Sequence, residues 1–287
     1  SQLLEALDGE AWCKALQASA LVEHAGQSPA QAAERPLVLS ERRLYLRRYW
    51  AYERRIDSAL RQRLAVTEVT PDDLPARLNS LFGSRTANAP IDWQKLACAL
   101  ATRGAFSIVT GGPGTGKTTT VVRLLALLQA PAVEAGAPLR IRLAAPTGKA
   151  AARLTESISL QVKSLEVDDK VRQKIPSDVT TVHRLLGSRP GTRHFRHHAG
   201  NRLPLDVLVV DEASMIDLEM MANLLDALPA HARLVLLGDK DQLASVEAGA
   251  VLGDLCRDAE AGWYTPQTRE WLEHVSGEHL AASDLQQ

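Results

Sequence analysis

The sequence is poor in cysteine, with three in 287 residues: Cys13, Cys98 and Cys256. They stand far apart without metal-ligand spacing, which argues against a zinc module or a disulfide framework and predicts small core residues in a reducing, cytoplasmic setting. Long apolar runs are missing too. Nothing approaches the roughly 20 residues of a membrane span, and no basic-then-apolar leader pattern opens the chain, so no membrane role is expected. A strong net charge is also absent, since 33 Lys and Arg face 34 Asp and Glu for a balance of −1. Taken alone, that speaks against a polyanionic partner. What is present, 45% hydrophobic and 23% charged residues, is an ordinary globular balance with room for one large core or two domains.

The distribution of charge reverses the last point. Arg35 to Arg63 holds nine arginines against three acids, and His183 to Arg202 holds five arginines and four histidines with no acid. From Leu203 onward sixteen acids face four Lys and Arg. Segregation of this kind predicts a polyanion-facing surface and an acidic one elsewhere. The plainer alternative is that each basic run is a solvated helix face.

The most informative stretch is Gly111-Gly112-Pro113-Gly114-Thr115-Gly116-Lys117-Thr118-Thr119. It fits G-x-x-x-x-G-K-[ST] and lies between a strand-like run, Phe106 to Val109, and a helical one, Val121 to Leu128. Its glycines let backbone N–H groups close around phosphate, and the helix N-terminus adds partial positive charge. Lys117 is then placed for the β/γ-phosphates of ATP, and the Thr118 hydroxyl for Mg²⁺. Val207 to Val210 reads as a buried strand that delivers Asp211 and Glu212 at its end, suited respectively to holding Mg²⁺ and to orienting or deprotonating water. Leu234 to Leu237 delivers Gly238-Asp239-Lys240-Asp241-Gln242 in the same way, with Gln242 as a sensor of the γ-phosphate. Gln94, just upstream, has the donor and acceptor needed to read adenine.

A second strand-turn-helix corner runs from Leu139–Ala145 through Pro146-Thr147-Gly148 into Lys149, a natural place for a nucleic-acid phosphate. Residues 155–180 look polar, with a helix near 165–175, and Thr181 to Gly187 reads as a short helix. The segment 187–204 cannot bury a core. It reads as a protruding hairpin, with Phe195 between His194 and Arg196 as a base-stacking tip or, more plainly, an anchor. Upstream, residues 1–34 read as Ala-rich helices in a chain that starts inside a domain. Pro36–Leu39 and Leu44–Leu46 read as a hairpin, and Arg47–Leu64 as a helix whose Tyr49, Trp50 and Tyr52 suit a core or a subunit contact. The tail from Ala259 is acidic and shows no strong pattern.

Together, residues 111–119, 145–151, 209–215 and 238–243 resemble motifs I, Ia, II and III of superfamily 1 helicases. Trp93–Lys95, Arg140–Ser157, His197–Asn201 and Gln242–Asp254 resemble, more narrowly, the RecD family of subunits of bacterial exodeoxyribonuclease V. That resemblance implies an α/β fold: a RecA-like P-loop domain, a parallel sheet with helices on both faces, over 91–258. A small helical domain (1–75) and a linker (76–90) would precede it, a basic insertion (187–204) would lie within it, and a tail (259–287) would follow. It implies a 5′→3′ ATP-dependent DNA helicase subunit acting with RecB-like and RecC-like partners on duplex ends in recombinational repair. Lys117, Thr118, Asp211, Glu212 and Gln242 would form the hydrolysis site, and Gln94 would contact adenine. Pro146, Thr147, Lys149, His183 and Phe195 would line the single strand. Such helicases complete the ATP site with arginines of a second RecA-like domain, worth about 10³ to 10⁵ in rate, so this chain alone is expected to be half a motor. A stand-alone helicase of the same type, or a non-helicase P-loop ATPase whose 187–204 loop binds protein, are the alternative readings.

Overall fold

Val207 to Val210 is four consecutive buried residues, as a strand covered on both faces must be. The computed structural model in which it sits describes residues 8–25, 35–66, 70–84, 90–112, 114–189, 191–192, 194–240, 251–257, 259 and 264–280. Pro113, Gln242, most of the Gln242–Asp254 stretch and Trp263 lie outside these. Two compact units divide at Ser58/Ala59.

In the first unit a helix, α1 (Gly9–Ala18), leads into a three-stranded sheet of β1 (Val22–His24), β2 (Leu37–Ser40) and β3 (Arg43–Leu46). The β2–β3 hairpin is the expected one, turning at Glu41 with φ 53°. β1 corrects the reading of residues 1–34 as helical: Val22 is buried, and the segment pairs in parallel with β2, Val22 opposite Leu37. The segment itself is Val-Glu-His, and pairing with a partner strand decides its conformation. Helix α2 (Arg47–Leu64) begins here with Arg47 ion-paired to Glu23. Its rings are covered by the chain's own cations: Arg48 lies 4.7 Å from the Tyr49 centroid, Arg54 5.9 Å from Trp50 and Arg55 5.5 Å from Tyr52.

The second unit opens with α3 (Leu74–Phe82), which stops at Gly83, and α4 (Trp93–Arg103), capped by the Asp92 side chain. Strands and helices then alternate: β4 (Phe106–Thr110), α5 (Lys117–Glu134), β5 (Ile141–Ala145), α6 (Gly148–Lys163), α7 (Asp169–Arg172), β6 (Val179–Thr181) and α8 (Val182–Leu186). After them come β7 (Val207–Val210), a 3₁₀ turn (Ala213–Met215), α9 (Leu218–Ala227), β8 (Arg233–Gly238), α10 (Val251–Leu255) and α11 (Pro266–Ser276). The strand order is β4-β8-β7-β5-β6, with every neighbouring pair parallel.

One sheet face, including Leu143, Val207, Val209, Val235 and Leu237, packs into a cluster with α3 to α6 and α11. The alternate residues Leu208, Val210, Leu234 and Leu236 are as fully buried. Helices therefore cover both faces, the architecture expected of a doubly wound sheet.

Two segments are more ordered than their polarity implied. Helix α6 runs on through 155–163 because Leu154, Ile158 and Val162 recur every fourth residue and are buried. The acidic tail contains α11, whose Leu272 and Val275, three apart, are buried in the core with Leu280. Gln129, fully buried, binds α5 to the start of β5: it accepts from Leu139 N–H at 2.8 Å and donates to the Leu139 and Lys174 carbonyls at 3.1 and 3.0 Å. Among the described residues no helix is long and apolar enough to cross a membrane, and no cluster of His, Cys, Asp and Glu could hold a metal by itself.

Candidate nucleotide and strand-binding rim

Because neighbouring strands are parallel, their C-terminal ends share one rim. Thr110 of β4 stands opposite Gly238 of β8, and Val210 of β7 is level with Leu236 two residues back. The loop after β4, the acid pair after β7 and the turns after β5 and β6 therefore leave the sheet side by side.

The first loop is shaped for an anion. Gly114 and Gly116 have φ of +78° and +83°, which side-chain-bearing residues rarely adopt. A Cβ on Gly116 would lie 2.4 Å from the Gln94 amide nitrogen, which donates to Thr115 O at 3.1 Å. Gly116 is the N-cap of α5 and offers no side chain to its first N–H groups, so these stay available to a ligand. Lys117, half-buried, folds back and donates to the carbonyls of Gly111 and, at 2.8 Å, Gly112. The three threonines that follow differ. Thr120 donates to Gly116 O at 3.0 Å and Thr119 to Gln161 at 3.2 Å, whereas the Thr118 hydroxyl has no hydrogen-bond partner among the described residues. A cradle with a folded-in cation and a spare hydroxyl fits a Mg-bound triphosphate.

Gln94 lies in the first turn of α4. The next residue, Lys95, is fully buried in α4 and donates to Asn79 Oδ1 at 2.8 Å, joining α4 to the end of α3. Burial lowers its pKa, opposed by the charges of Glu278 and Asp92.

Across the rim, Asp211 N–H donates to Ala144 O at 2.9 Å. Burial raises the Asp211 carboxyl pKa, while the Glu212 N–H and the charges of Lys117 and Arg153 pull it back. Lys117 and Asp211 thus follow strands β4 and β7 of the same rim, and the Lys117 charge is felt at the Asp211 carboxyl. Glu212 adopts φ 49° and ψ 38°, left-handed for a non-glycine residue, and its carboxylate meets Arg153 at 3.2 Å. Arg153, four residues after Lys149 on α6, is a neighbour of the acid pair that the sequence motifs do not mark. Gly238 opens the loop toward Gln242, and its backbone lies against Gly111: Gly111 N–H donates to Gly238 O at 3.2 Å. Lys240 N–H reaches Thr110 Oγ1, also at 3.2 Å. Gln242 and Pro113 lie outside the described residues.

The remaining candidates gather at the ends of β5 and β6, where Ala145 is level with Thr181. Pro146 is half-buried, and Thr147 caps α6 by accepting from Ala150 N–H at 3.1 Å. Lys149 and His183 are exposed. Phe195 belongs to the base of its hairpin, paired with Ser188, and its half-buried ring stands edge-on to His183 with centroids 6.1 Å apart. The basic segment and the rim therefore meet at one histidine.

A parallel sheet carrying this loop and acid pair on one rim defines a P-loop module of the doubly wound α/β class. The chain belongs to the AAA domain family, whose model matches residues 94–248. Within that class its sequence is similar to "RecBCD enzyme subunit RecD": 49% identical over 250 residues to that of Mycolicibacterium smegmatis, covering 86% of this chain and 42% of that one. The RecD of Haemophilus influenzae is 42% identical over 256 residues, 87% of this chain and 39% of its own. An "ATP-dependent RecD2 DNA helicase" of Deinococcus radiodurans is 35% identical over 235 residues, 81% of this chain and 28% of its own. The chain spans about two fifths of the length of the RecD relatives it matches.

Proposed function

We propose that this chain is the first RecA-like motor part of a RecD-type DNA helicase subunit, using Mg-ATP to drive movement along a single strand. The observation that carries the reading is the sequence of groups along one rim: cradle, acid pair, then exposed cations. Lys117 and the α5 N-terminus would hold the β/γ-phosphates, with Gln94 beside the adenine. Thr118 and Asp211 would hold Mg²⁺, which supplies neutralising charge to the phosphates. Glu212 would orient the attacking water and take its proton. Gln242 would report the γ-phosphate. Pro146, Thr147, Lys149, His183 and Phe195 would follow the strand.

Four RecD subunits are 42–49% identical to this chain against 35% for the RecD2 helicase, while two others stand at 32%; the higher group favours a subunit of a RecBCD-type enzyme over a stand-alone helicase. Partners would then be RecB-like and RecC-like chains on duplex DNA ends, in the cytoplasm, with 5′→3′ polarity. Turnover and unwinding are assigned to the whole protein, and nucleotide and strand binding to the span in hand. A fluorescent ATP analogue and a labelled oligo-dT test both bindings on the 287 residues. Expected are Mg-dependent nucleotide binding and oligonucleotide affinity that falls linearly in log–log against salt, the signature of counterion release. Salt-insensitive binding, or none, would reject the strand reading and favour a P-loop ATPase with a protein ligand.

A further inference from the structure

Glu212 is not a free carboxylate. Its main chain is held in the left-handed region and its Oε1 meets the Arg153 guanidinium at 3.2 Å. Strain at one residue of a site signals that its surroundings fix it for a purpose. Arg153 lies on α6 four residues beyond Lys149, so the two exposed cations share a helix face. The same guanidinium thus has an acid on one side and, on the strand-binding reading above, a phosphate path on the other. Carboxylate and phosphate compete for one N–H fork. The pair is weakly held: Arg153 has 67% of its side chain exposed and Glu212 29%, and an ion pair of that kind is worth only about two- to fivefold in an equilibrium.

We propose that Arg153 is a positioning residue that restrains Glu212 when no strand is bound and releases it when a strand engaged at Lys149 draws the guanidinium away. Strand binding then frees the water-orienting carboxylate, and α6 links the two events through one side chain. The proposal rests on Lys149 facing the strand, and the experiment separates the two ideas.

Affinity for labelled oligo-dT is measured by fluorescence anisotropy at low salt and without nucleotide, for the chain and its Lys149→Ala, Arg153→Ala, Glu212→Gln and Arg153→Ala/Glu212→Gln variants. Glu212→Gln should tighten binding about two- to fivefold by releasing Arg153, and Arg153→Ala should weaken it by a similar factor. In the Arg153→Ala background Glu212→Gln should change nothing. Equal tightening with and without Arg153 would mean that only a repelling charge was removed, and would overturn the handover. So would an Arg153→Ala variant with unchanged affinity. If Lys149→Ala leaves affinity untouched, the strand path itself is wrong. If it weakens binding while the other two substitutions add independently, only the handover fails. An unchanged far-ultraviolet circular dichroism spectrum and Tm for Arg153→Ala check that α6 is intact.

Discussion

The corner between β4 and α5 and the corner between β5 and α6 are built from the same parts: a parallel strand, a short turn with glycine, and a helix with lysine near its start. They end as different devices. In the first, the N-cap is Gly116, with positive φ and no side chain, and Lys117 is folded into the loop. In the second, the N-cap is Thr147, with extended backbone, and its own hydroxyl accepts from Ala150 N–H while Lys149 points to solvent. A helix whose cap is a bare glycine keeps its first N–H groups for a ligand. One whose cap is threonine satisfies part of them itself and offers a surface charge instead. On the proposed reading, the cap residue is what separates a phosphate cradle from a phosphate rest.

Breaking the first corner should have the largest effect. Lys117→Ala removes a charged donor from the cradle, and a hydrogen bond to a charged group is worth about 1.5–3 kcal/mol. Nucleotide affinity is expected to fall about 10- to 100-fold by titration with the fluorescent analogue, with oligo-dT affinity unchanged. Parallel losses in both ligands would mean that the corners are one site, and the comparison would fail.

The backbone half can be broken separately. Gly116→Ala forces a side chain into the left-handed region, at a cost of about 1–2 kcal/mol, and places its Cβ against Gln94. A Tm lower by several degrees is expected, with weaker nucleotide binding. An unchanged Tm would show that the loop can relax out of its positive φ.

These contrasts also mark what the sequence made legible. The G-x-x-x-x-G-K spacing fixes both the loop and the strand and helix around it, and Val207–Val210 running into Asp211-Glu212 fixes the second edge, because local chemistry alone dictates each. Three features depend on pairings distant in the chain and could not be read this way. β1 needs β2 as its partner. The tail helix α11 carries only two buried apolar positions, Leu272 and Val275, and becomes core by packing on α3 and α4. Arg153 gains meaning only because Glu212, 59 residues later, lies beside it. Lys95 shows the same limit, since a lysine next to Gln94 reads as surface until its place between α3 and α4 is known.

Weaker contrasts lie at the second corner. Thr147→Ala removes the cap of α6 and should cost about 1 kcal/mol of stability in denaturant unfolding, without changing nucleotide affinity. A fall in nucleotide affinity would mean that the two corners communicate through the sheet.

The smallest effect distinguishes the glycines themselves. Gly148, the first residue of α6, has no positive φ, and a Cβ there would meet nothing within 4 Å. Gly148→Ala should therefore stabilise the chain by about 0.4–1 kcal/mol, chiefly by restricting the unfolded state, the opposite sign to Gly116→Ala. Its strand affinity carries the sharper information. If oligo-dT binding is unaltered, the strand rests on the cations of α6. If binding falls while stability rises, a phosphate passes close over the Gly148 backbone, and the second corner is a shallower version of the first.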